Sequence, residues 1–302
     1  MTELATLRDF LRYTLSELSQ HPVVLGQGTD SLWDEALALV FGSVHLPPDG
    51  DDRLLDACLT LAERDRLIRM IQARVEDRMP VAYLVGRAWY GGVPFQVDPR
   101  VLIPRSPILE CIEAEFSPWF SPPADRPVRW LDLCCGSGCL GILTALAFEE
   151  STGVLADLDA GACEVAQSNV RLHGLEDRLE VIQSDCFDAL YDDRFDVIVC
   201  NPPYVDAEDM DTLPPEFRHE PSRALESGLD GLDLSRRILN QAADWLTTDG
   251  VLFLEVGNSW GALDQLIRPR LQHDLNWLAF ERGGHGVVVL SRDELDRLYS
   301  AF

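Results

Sequence analysis

The sequence contains no lysine: all 25 of its basic side chains are arginines, and 51 acidic residues give it a formal net charge of −26. A field of that sign repels phosphate backbones, so the composition argues against stable nucleic-acid binding. It favours a basic protein as partner, because opposite charges steer association.

The chain also has no apolar run near the ~18 residues that span a bilayer, and no basic N-terminal start followed by an apolar stretch. Eight cysteines are dispersed along it, several inside predicted core strands, which fits a reducing compartment better than a disulfide framework. These absences predict a cytoplasmic protein that does not associate with membranes.

A metal-binding pattern is missing too. Cys134, Cys135 and Cys139 crowd one glycine-rich turn, where two adjacent thiols do not form a tetrahedral pocket, and no histidine has a partner at ligand spacing. Ser137 in the same turn has no evident base, so nucleophilic catalysis is not expected. We predict no metal site.

What the sequence does contain begins with a helical region. Apolar residues recur at helical spacing from Leu7 to Leu18 and again from Leu54 to Ala62. Around Gly91-Gly92 the pattern changes to aromatic and β-branched residues, which predicts a hairpin. We therefore divide the chain into a helical substrate-recognition domain (1–85), a β-hairpin linker (86–104) and a C-terminal domain (105–302).

The C-terminal domain alternates short apolar strands with helices. The first helix is predicted over Pro104–Phe116, and the strands at Val128–Leu133, Gly153–Ala156, Leu179–Ile182, Val197–Cys200 and Val251–Glu255. Such alternation implies βαβ crossovers and a mostly parallel, Rossmann-like sheet with helices on both faces. Near the C-terminus, Trp277–Phe280 and Val287–Leu290 flank Gly283-Gly284, which favours an antiparallel hairpin at one sheet edge.

The first of these strands leads into a glycine loop, Gly136-x-Gly138-x-x-Gly141, and then a helix. Glycines there let a ligand approach the backbone, and the helix N-terminus favours a negative group. Asp157 stands 21 residues beyond Gly136 and follows the next strand, where a carboxylate can bind a ribose diol. These features fit either a dinucleotide or S-adenosylmethionine.

Two further acids favour S-adenosylmethionine. Asp132 lies just ahead of the glycine loop, where a carboxylate suits the ammonium of a methionine tail and disfavours a pyrophosphate. Asp185, in the Asp185-Cys-Phe187 segment after the third strand, can contact adenine.

The tetrapeptide Asn201-Pro-Pro-Tyr204 directly follows an apolar strand. Proline fixes its own φ and keeps the preceding residue extended, so Asn201 presents its side-chain oxygen beside a neighbouring carbonyl. This pair can accept both hydrogens of a planar NH2 group, while the ring of Tyr204 covers that group. Because all these groups end strands on one edge of the sheet, the pattern predicts a methyltransferase active site.

Three other functions compete with this one. An adenine-N6 nucleic-acid methyltransferase would use the same tetrapeptide, but the acidic charge and the lack of a basic, aromatic-rich region argue against it. An NAD-dependent oxidoreductase would use the glycine loop and leave the tetrapeptide unexplained. A non-enzymatic adaptor is disfavoured because every expected site position is filled.

With these motifs the chain resembles the protein-(glutamine-N5) methyltransferases over nearly its whole length. Besides the glycine loop and the tetrapeptide, the resemblance rests on Leu102-Ile-Pro-Arg-Ser-Pro-Ile108, Phe217-Arg-His-Glu-Pro221, Ser227-Gly-x-x-Gly-Leu232 and Glu255-Val-Gly-Asn258. Arg105-Ser-Pro107 and Arg218-His-Glu-Pro221 indicate the PrmB-type branch, which methylates large-subunit ribosomal protein uL3. The alternative is the branch that acts on peptide chain release factors.

The resemblance implies the class I S-adenosylmethionine-dependent methyltransferase fold, with a mostly parallel seven-stranded sheet whose last strand is antiparallel. It implies S-adenosyl-L-methionine as cofactor and a glutamine side-chain amide as methyl acceptor. The motifs and the resemblance together predict cofactor contacts from Asp132, Gly136, Ser137, Gly138, Asp157, Asp185, Cys186 and Asn201. The predicted catalytic residues are Asn201, Pro202 and Tyr204, and the predicted substrate-binding residues are Arg105, Asn201, Pro202, Pro203 and Tyr204.

In the implied reaction, Asn201 and the Pro202 carbonyl hold the amide hydrogens while the nitrogen attacks the methyl group in line. The rate then comes from positioning and desolvation, without a dedicated general base. Two positions depart from the family. Cys186 stands where the release-factor branch often has tryptophan. Stacking on adenine is therefore expected to be weaker, or to be provided by Phe187. His285 replaces an acid usual in the ribosomal-protein branch.

Overall fold

The structure is a computed structural model that describes residues 3–48, 50–191 and 194–299. Its chain divides into two compact units. The helical unit holds the described residues up to Pro99 together with Ile103–Arg105 and Leu213–Glu220, and the sheet unit holds the rest. The helical unit therefore includes a stretch, residues 213–220, that the sequence boundaries place in the C-terminal domain.

The helical unit contains α1 (Leu7–Gln20), α2 (Leu32–Ser43), α3 (Leu61–Val75), α4 (Val81–Val85) and the antiparallel strands β1 (Arg87–Tyr90) and β2 (Val93–Gln96). Helix α1 begins in a capping box, in which Thr6 accepts the backbone N–H of Asp9 and Asp9 accepts the backbone N–H of Thr6. The helices bury a shared apolar core that includes Leu7, Phe10, Leu39, Phe41, Leu67 and Ile71.

The helix predicted over Leu54–Ala62 is wrong for most of its length. Asp52–Leu54 forms only a 3-10 turn, and α3 starts at Leu61, where the Thr60 side chain caps the N–H of Glu63. Leu55 and Leu59 still face the core from irregular backbone. Their inward orientation produces the apolar spacing that resembles a helix.

The sheet unit is built on seven strands: β3 (Arg129–Leu133), β4 (Thr152–Asp157), β5 (Leu179–Gln183), β6 (Phe195–Cys200), β7 (Leu246–Glu255), β8 (Asn276–Trp277) and β9 (Val287–Ser291). Their order is β5-β4-β3-β6-β7-β9-β8, with the first five parallel and β9 antiparallel to both neighbours. The predicted mostly parallel sheet with an antiparallel last strand is confirmed. The strand expected over Trp277–Phe280 is only the two-residue β8.

Helices cover both faces of this sheet: α5 (Ile108–Glu113), α6 (Cys139–Ala147), α7 (Ala160–Leu172), α8 (Ala207–Thr212), α9 (Asp233–Gln241), α10 (Trp260–Leu271) and α11 (Arg292–Leu298). Helix α5 is much shorter than the predicted Pro104–Phe116, because Ser106 and Pro107 form the turn that precedes it. Every residue of β6 is buried, as expected for a central parallel strand.

Within the described residues, no helix is long and apolar enough to cross a membrane. The same residues contain no group of three His, Cys, Asp or Glu side chains that could hold a metal ion. All eight cysteines are free thiols.

Candidate active site

Four adjacent parallel strands end at one edge of the sheet. In spatial order they are β4, β3, β6 and β7, which end at Asp157, Leu133, Cys200 and Glu255. The chain order reverses beside β3, which has β4 on one side and β6 on the other. A crevice opens at such a switch point, so the glycine loop, Asp157 and the Asn201 tetrapeptide belong to one site.

The loop after β3 is tied to the end of β4. The Cys135 N–H donates to the Ala156 carbonyl at 3.0 Å, and the Gly136 N–H donates to Asp157 Oδ2 at 2.8 Å. Cys134 lies in the left-handed region at φ +62°, as does Gly136 at φ +54°. These contacts fix the turn that leads the chain from the strand into α6.

Gly136 and Gly138 of this loop differ in what surrounds them. A Cβ built on Gly136 would have no atom within 4 Å, so this residue borders open space where a ligand can approach the backbone. A Cβ on Gly138 would overlap the side chain of Leu155 and lie 3.3 Å from Ala166 Cβ. Gly138 is therefore required for close packing of α6, and its predicted contact with a cofactor stays a prediction.

Ser137 presents a polar atom in the same turn. Its side chain is 2% exposed, and its hydroxyl has no hydrogen-bond partner among the residues that the structure describes. Its carbonyl accepts a hydrogen bond from Asn169 Nδ2 at 2.9 Å, which anchors the turn to α7. A buried hydroxyl of this kind is a candidate for binding a polar ligand.

Two carboxylates at this edge are bonded to backbone N–H groups and not to arginine. Asp132 Oδ2 accepts the Gly141 N–H at 2.8 Å, and burial raises the pKa of Asp132 to about 7. Asp157 accepts N–H groups from Gly136 and Asp159, yet burial raises its pKa as well. Both sites therefore favour a cationic neighbour that would stabilise the ionised form.

The segment after β5 is occupied by contacts within the protein. Asp185 forms an ion pair with Arg237 at 2.5 Å. Cys186 is 5% exposed, in the left-handed region at φ +51°, and burial raises the pKa of its thiol to about 12. Phe187 is buried and stacks on Trp245 with ring centroids 5.5 Å apart. Phe187 thus belongs to the core, and adenine contacts by Asp185 and Cys186 stay predictions.

The tetrapeptide leaves β6 at the centre of the edge. Asn201, Pro203 and Tyr204 are partly exposed, whereas Pro202 is buried. None of the described residues hydrogen-bonds the side-chain amide of Asn201. Beyond the tetrapeptide, the N–H of Val205 donates to Leu225 at 2.7 Å, which ties this segment to the chain that follows it. The structure thus brings Asn201 to the same edge as Asp157 and the glycine loop.

Residues that the sequence analysis did not assign to the site hold Tyr204. Its hydroxyl donates to Glu255 Oε1 at 2.9 Å, and its carbonyl accepts from Ser259 Oγ at 3.1 Å. A Cβ on Gly257 would lie 2.9 Å from two ring carbons of Tyr204, and one on Gly231 would overlap its carbonyl. The sequence does contain one indication of this contact, the acidic residue at the end of β7 in Glu255-Val-Gly-Asn258. Its partner Tyr204, however, is distant in sequence.

Arg105 lies in the helical unit with a partner of its own. Its guanidinium binds Glu220 through two contacts of 2.7 Å and lies 5.3 Å from the ring centroid of Phe217. Glu220 also accepts from Gln27 Nε2 at 2.6 Å. The two short motifs that indicate the ribosomal-protein branch therefore meet in one ion pair. Substrate binding by Arg105 stays a prediction.

His285 contacts the site's outer layer through Asn258, since its Nε2 lies 2.9 Å from Asn258 Oδ1. The neighbouring Gly286 has φ +75°, and its carbonyl accepts the Val256 N–H at 2.7 Å. The histidine is thus placed beside the loop that carries Gly257.

The family model of the methyltransferase small domain matches residues 123–231. The chain is 43% identical over its full length to "Ribosomal protein uL3 glutamine methyltransferase" of Francisella tularensis, covering 95% of that protein. It is 46% identical over 97% of its length to the protein of the same name from Bordetella pertussis, covering 97% of it.

Among solved structures, the chain is similar to the catalytic domain of hMettl16 in complex with the MAT2A 3'UTR hairpin 1. The TM-score is 0.51 at 16% identity, covering 80% of this chain and 85% of that one. At that identity the likeness concerns the fold alone.

Proposed function

The chain belongs to the family of the ribosomal protein uL3 glutamine methyltransferases, and from this premise we propose its reaction. It transfers a methyl group from S-adenosyl-L-methionine to the side-chain amide nitrogen of a glutamine in ribosomal protein uL3. The observation that carries this proposal is the position of Asn201 at the end of β6, next to the β3 glycine loop on one sheet edge. We also propose that the reaction takes place in the cytoplasm, because the substrate is a ribosomal protein.

The residues of the edge fit S-adenosyl-L-methionine. The open space at Gly136 can admit it, and the Ser137 hydroxyl is a buried group that still needs a partner. Asp132 and Asp157 suit its ammonium and its ribose diol. When bound, the cofactor supplies an electrophilic methyl group on a cationic sulfur. Its positive charge suits an edge whose buried carboxylates have raised pKa values.

The tetrapeptide positions the methyl acceptor. Asn201 Oδ1 and the Pro202 carbonyl accept the two N–H bonds of the glutamine amide, which fixes the nitrogen and orients its lone pair. The Tyr204 ring covers the flat amide, and Pro203 stiffens the turn between them. Orientation of the amide, and the exclusion of water when cofactor and substrate are bound, supply most of the rate.

Selection of the protein substrate falls to the helical unit. Its apolar cavity of about 420 Å³, lined in part by Leu37, Ala38, Val81 and Trp89, is large enough to receive side chains.

The negative charge that attracts a basic protein lies mostly in the sheet unit. The helical unit has 17 acids against 11 arginines, and the sheet unit has 34 against 14. We infer that the sheet unit attracts the partner and the helical unit recognises it. Arg105 supports that recognition by holding Glu220 in place.

The direct test is incubation of the protein with methyl-labelled S-adenosyl-L-methionine and separated ribosomal proteins. Label is expected in uL3 alone, with a mass gain of one methyl group on a glutamine. The control is uL3 with that glutamine changed to glutamate, which removes the NH2 donor and should take up no label. Label in another protein, or persistent label in the control, would reject the proposed substrate.

A further inference from the structure

The aromatic ring of Tyr204 is restrained on its backbone side and along the side of the ring that carries Cδ2, Cε2 and Cζ. Its carbonyl accepts Ser259 Oγ, and the N–H of the next residue, Val205, donates to Leu225. Gly257, at φ +45°, lies against the ring so closely that a Cβ would be 2.9 Å from two of its carbons. The phenol hydroxyl is a further point at which the ring can be fixed.

Glu255 occupies that point. It is 4% exposed and accepts the Tyr204 hydroxyl on Oε1 at 2.9 Å and the Ser106 hydroxyl on Oε2 at 2.5 Å. With a donor on each oxygen, the carboxylate cannot turn without losing a hydrogen bond, and bonds of this kind to a carboxylate are strong. Because Cys200 pairs with Leu254 in the sheet, Asn201 and Glu255 leave the sheet side by side.

We propose that Glu255 is a positioning residue for methyl transfer: it fixes the Tyr204 ring in the orientation that covers the glutamine amide held by Asn201. This inference rests on the proposed function. Glu255 acts through the phenol and does not touch the substrate. A ring that could swing away would leave the amide free to rotate, which removes part of the orientational advantage of the site.

If Glu255 had a purely structural role, the variants would be expected to behave differently. Ser106 Oγ also accepts the Ile108 N–H at 3.2 Å at the start of α5, so Glu255 could serve only to hold that turn. In that case Ser106→Ala would reproduce the effect of Glu255→Gln, and Tyr204→Phe would be silent. Positioning instead requires Tyr204→Phe and Glu255→Gln to behave alike.

Kinetics of the two single variants and the double variant separate these cases. Each single change should lower kcat by about 10- to 100-fold, with the cofactor Kd within about threefold of the wild-type value. The double variant should be no worse than the poorer single one, because Tyr204→Phe removes and Glu255→Gln weakens the same hydrogen bond. Additive losses, or a silent Tyr204→Phe, would overturn the inference.

A matched control is Asp196→Asn in β6. Asp196 is another buried carboxylate of the same sheet, 2% exposed, bonded to Arg126, the Arg129 N–H and Thr247 and outside the proposed site. Its loss should lower the melting temperature and leave kcat unchanged. If it lowers kcat as much as Glu255→Gln does, the effect is general to the sheet and the inference fails.

A spectroscopic readout is independent of turnover. In protein with isotope-labelled tyrosine, the Tyr204 hydroxyl proton should give a slowly exchanging signal that exchanges faster in Glu255→Gln, whose neutral amide is a weaker acceptor, and is assigned by its loss in Tyr204→Phe. A wild-type protein that shows this signal but does not methylate uL3 would reject the proposed function and leave the hydrogen bond established. Absence of the signal in the wild type would reject the positioning role.

Discussion

The helical unit and the active edge of the sheet unit treat their buried carboxylates in opposite ways. In the helical unit, Arg74 is 1% exposed and contacts Glu35 at 2.6 Å and Glu216 at 3.2 Å, while Arg105 binds Glu220. Burial pushes the pKa of Glu216 upward, but hydrogen bonds from the Val24 N–H and from Arg74 outweigh it, and the pKa lies below its ordinary value. Charge there is compensated within the chain.

In the sheet unit, the carboxylates at the active edge lack such compensation. Asp132 and Asp157 accept only backbone N–H groups among the described residues, and burial raises the pKa of both. Arg223, which is close by, pairs with Asp159 instead. The comparison indicates that the carboxylates bound by arginine in the helical unit stabilise the fold, and we propose that Asp132 and Asp157, which accept backbone N–H groups, bind a cationic ligand.

The largest effect is expected from removing a compensating charge in the helical unit. Arg74→Met leaves Glu35 and Glu216 buried without their partner and should cost about 3–5 kcal/mol in the free energy of unfolding. Urea denaturation measures this loss. Arg8→Met is the control, because the Arg8–Asp56 pair is exposed and should contribute nothing measurable. Equal losses of unfolding free energy in the two variants would contradict the role assigned to the buried ion pairs of the helical unit.

Asp157→Ala should affect ligand binding more than it affects stability. Because we propose that this carboxylate binds the ribose of the cofactor, its loss should weaken S-adenosyl-L-methionine binding by roughly 10- to 100-fold, which corresponds to about 1.5–3 kcal/mol. The stability of the ligand-free protein should fall far less than in Arg74→Met. Calorimetry measures the affinity, and NAD should not compete. An unchanged affinity in the variant would contradict the cofactor assignment.

The raised pKa of Asp132 should make the stability of the ligand-free protein depend on pH. Its pKa is raised from 3.8 to about 7 in the folded protein, so its contribution to stability is complete below pH ~4 and is lost as the pH rises to about 7. Melting temperatures of the ligand-free protein should show this loss, and Asp132→Asn should lack it. The cationic cofactor favours the ionised form, so its binding should release a proton near pH 6. A wild type with the same profile as Asp132→Asn would contradict the assignment.

The smallest effect concerns recognition by the helical unit. Ala38→Trp fills its apolar cavity and should raise the KM for uL3 several-fold, with kcat and cofactor affinity unchanged. The control is Ala124→Trp, which fills a polar recess of about 560 Å³ beside the amino ends of β3 and β4. Equal KM values in the two variants would reject the helical unit's cavity as the recognition site.

Much of the sheet unit follows from sequence, because its strands are short apolar runs and the glycine loop and polar site candidates come at strand ends. The glycine loop, Asp157 and Asn201 were placed correctly at one edge for that reason. The irregular stretch before α3 was not, since Leu55 and Leu59 bury themselves from backbone that is not helical. Apolar spacing reports burial and does not by itself report hydrogen bonding.

Contacts between residues distant in sequence were also beyond prediction. Arg105 and Glu220 lie in separate motifs, each recognisable, but nothing local indicates that they form one ion pair. Phe187 was a candidate for adenine stacking, and only the structure reveals that Trp245 covers it. Such pairings depend on how the folded chain brings segments together, which periodicity and turn patterns do not specify.

The central claim is that Asn201 binds the methyl acceptor at an edge that holds the cofactor independently. Its most direct test is the single-turnover rate of methyl transfer to uL3 from saturated cofactor complexes of wild-type protein and Asn201→Ala. The account predicts a loss of about 100-fold or more, because the misplaced nitrogen loses its orientation, with the cofactor affinity within a few-fold. Near-normal transfer by Asn201→Ala would show that the tetrapeptide is a turn and does not hold the substrate.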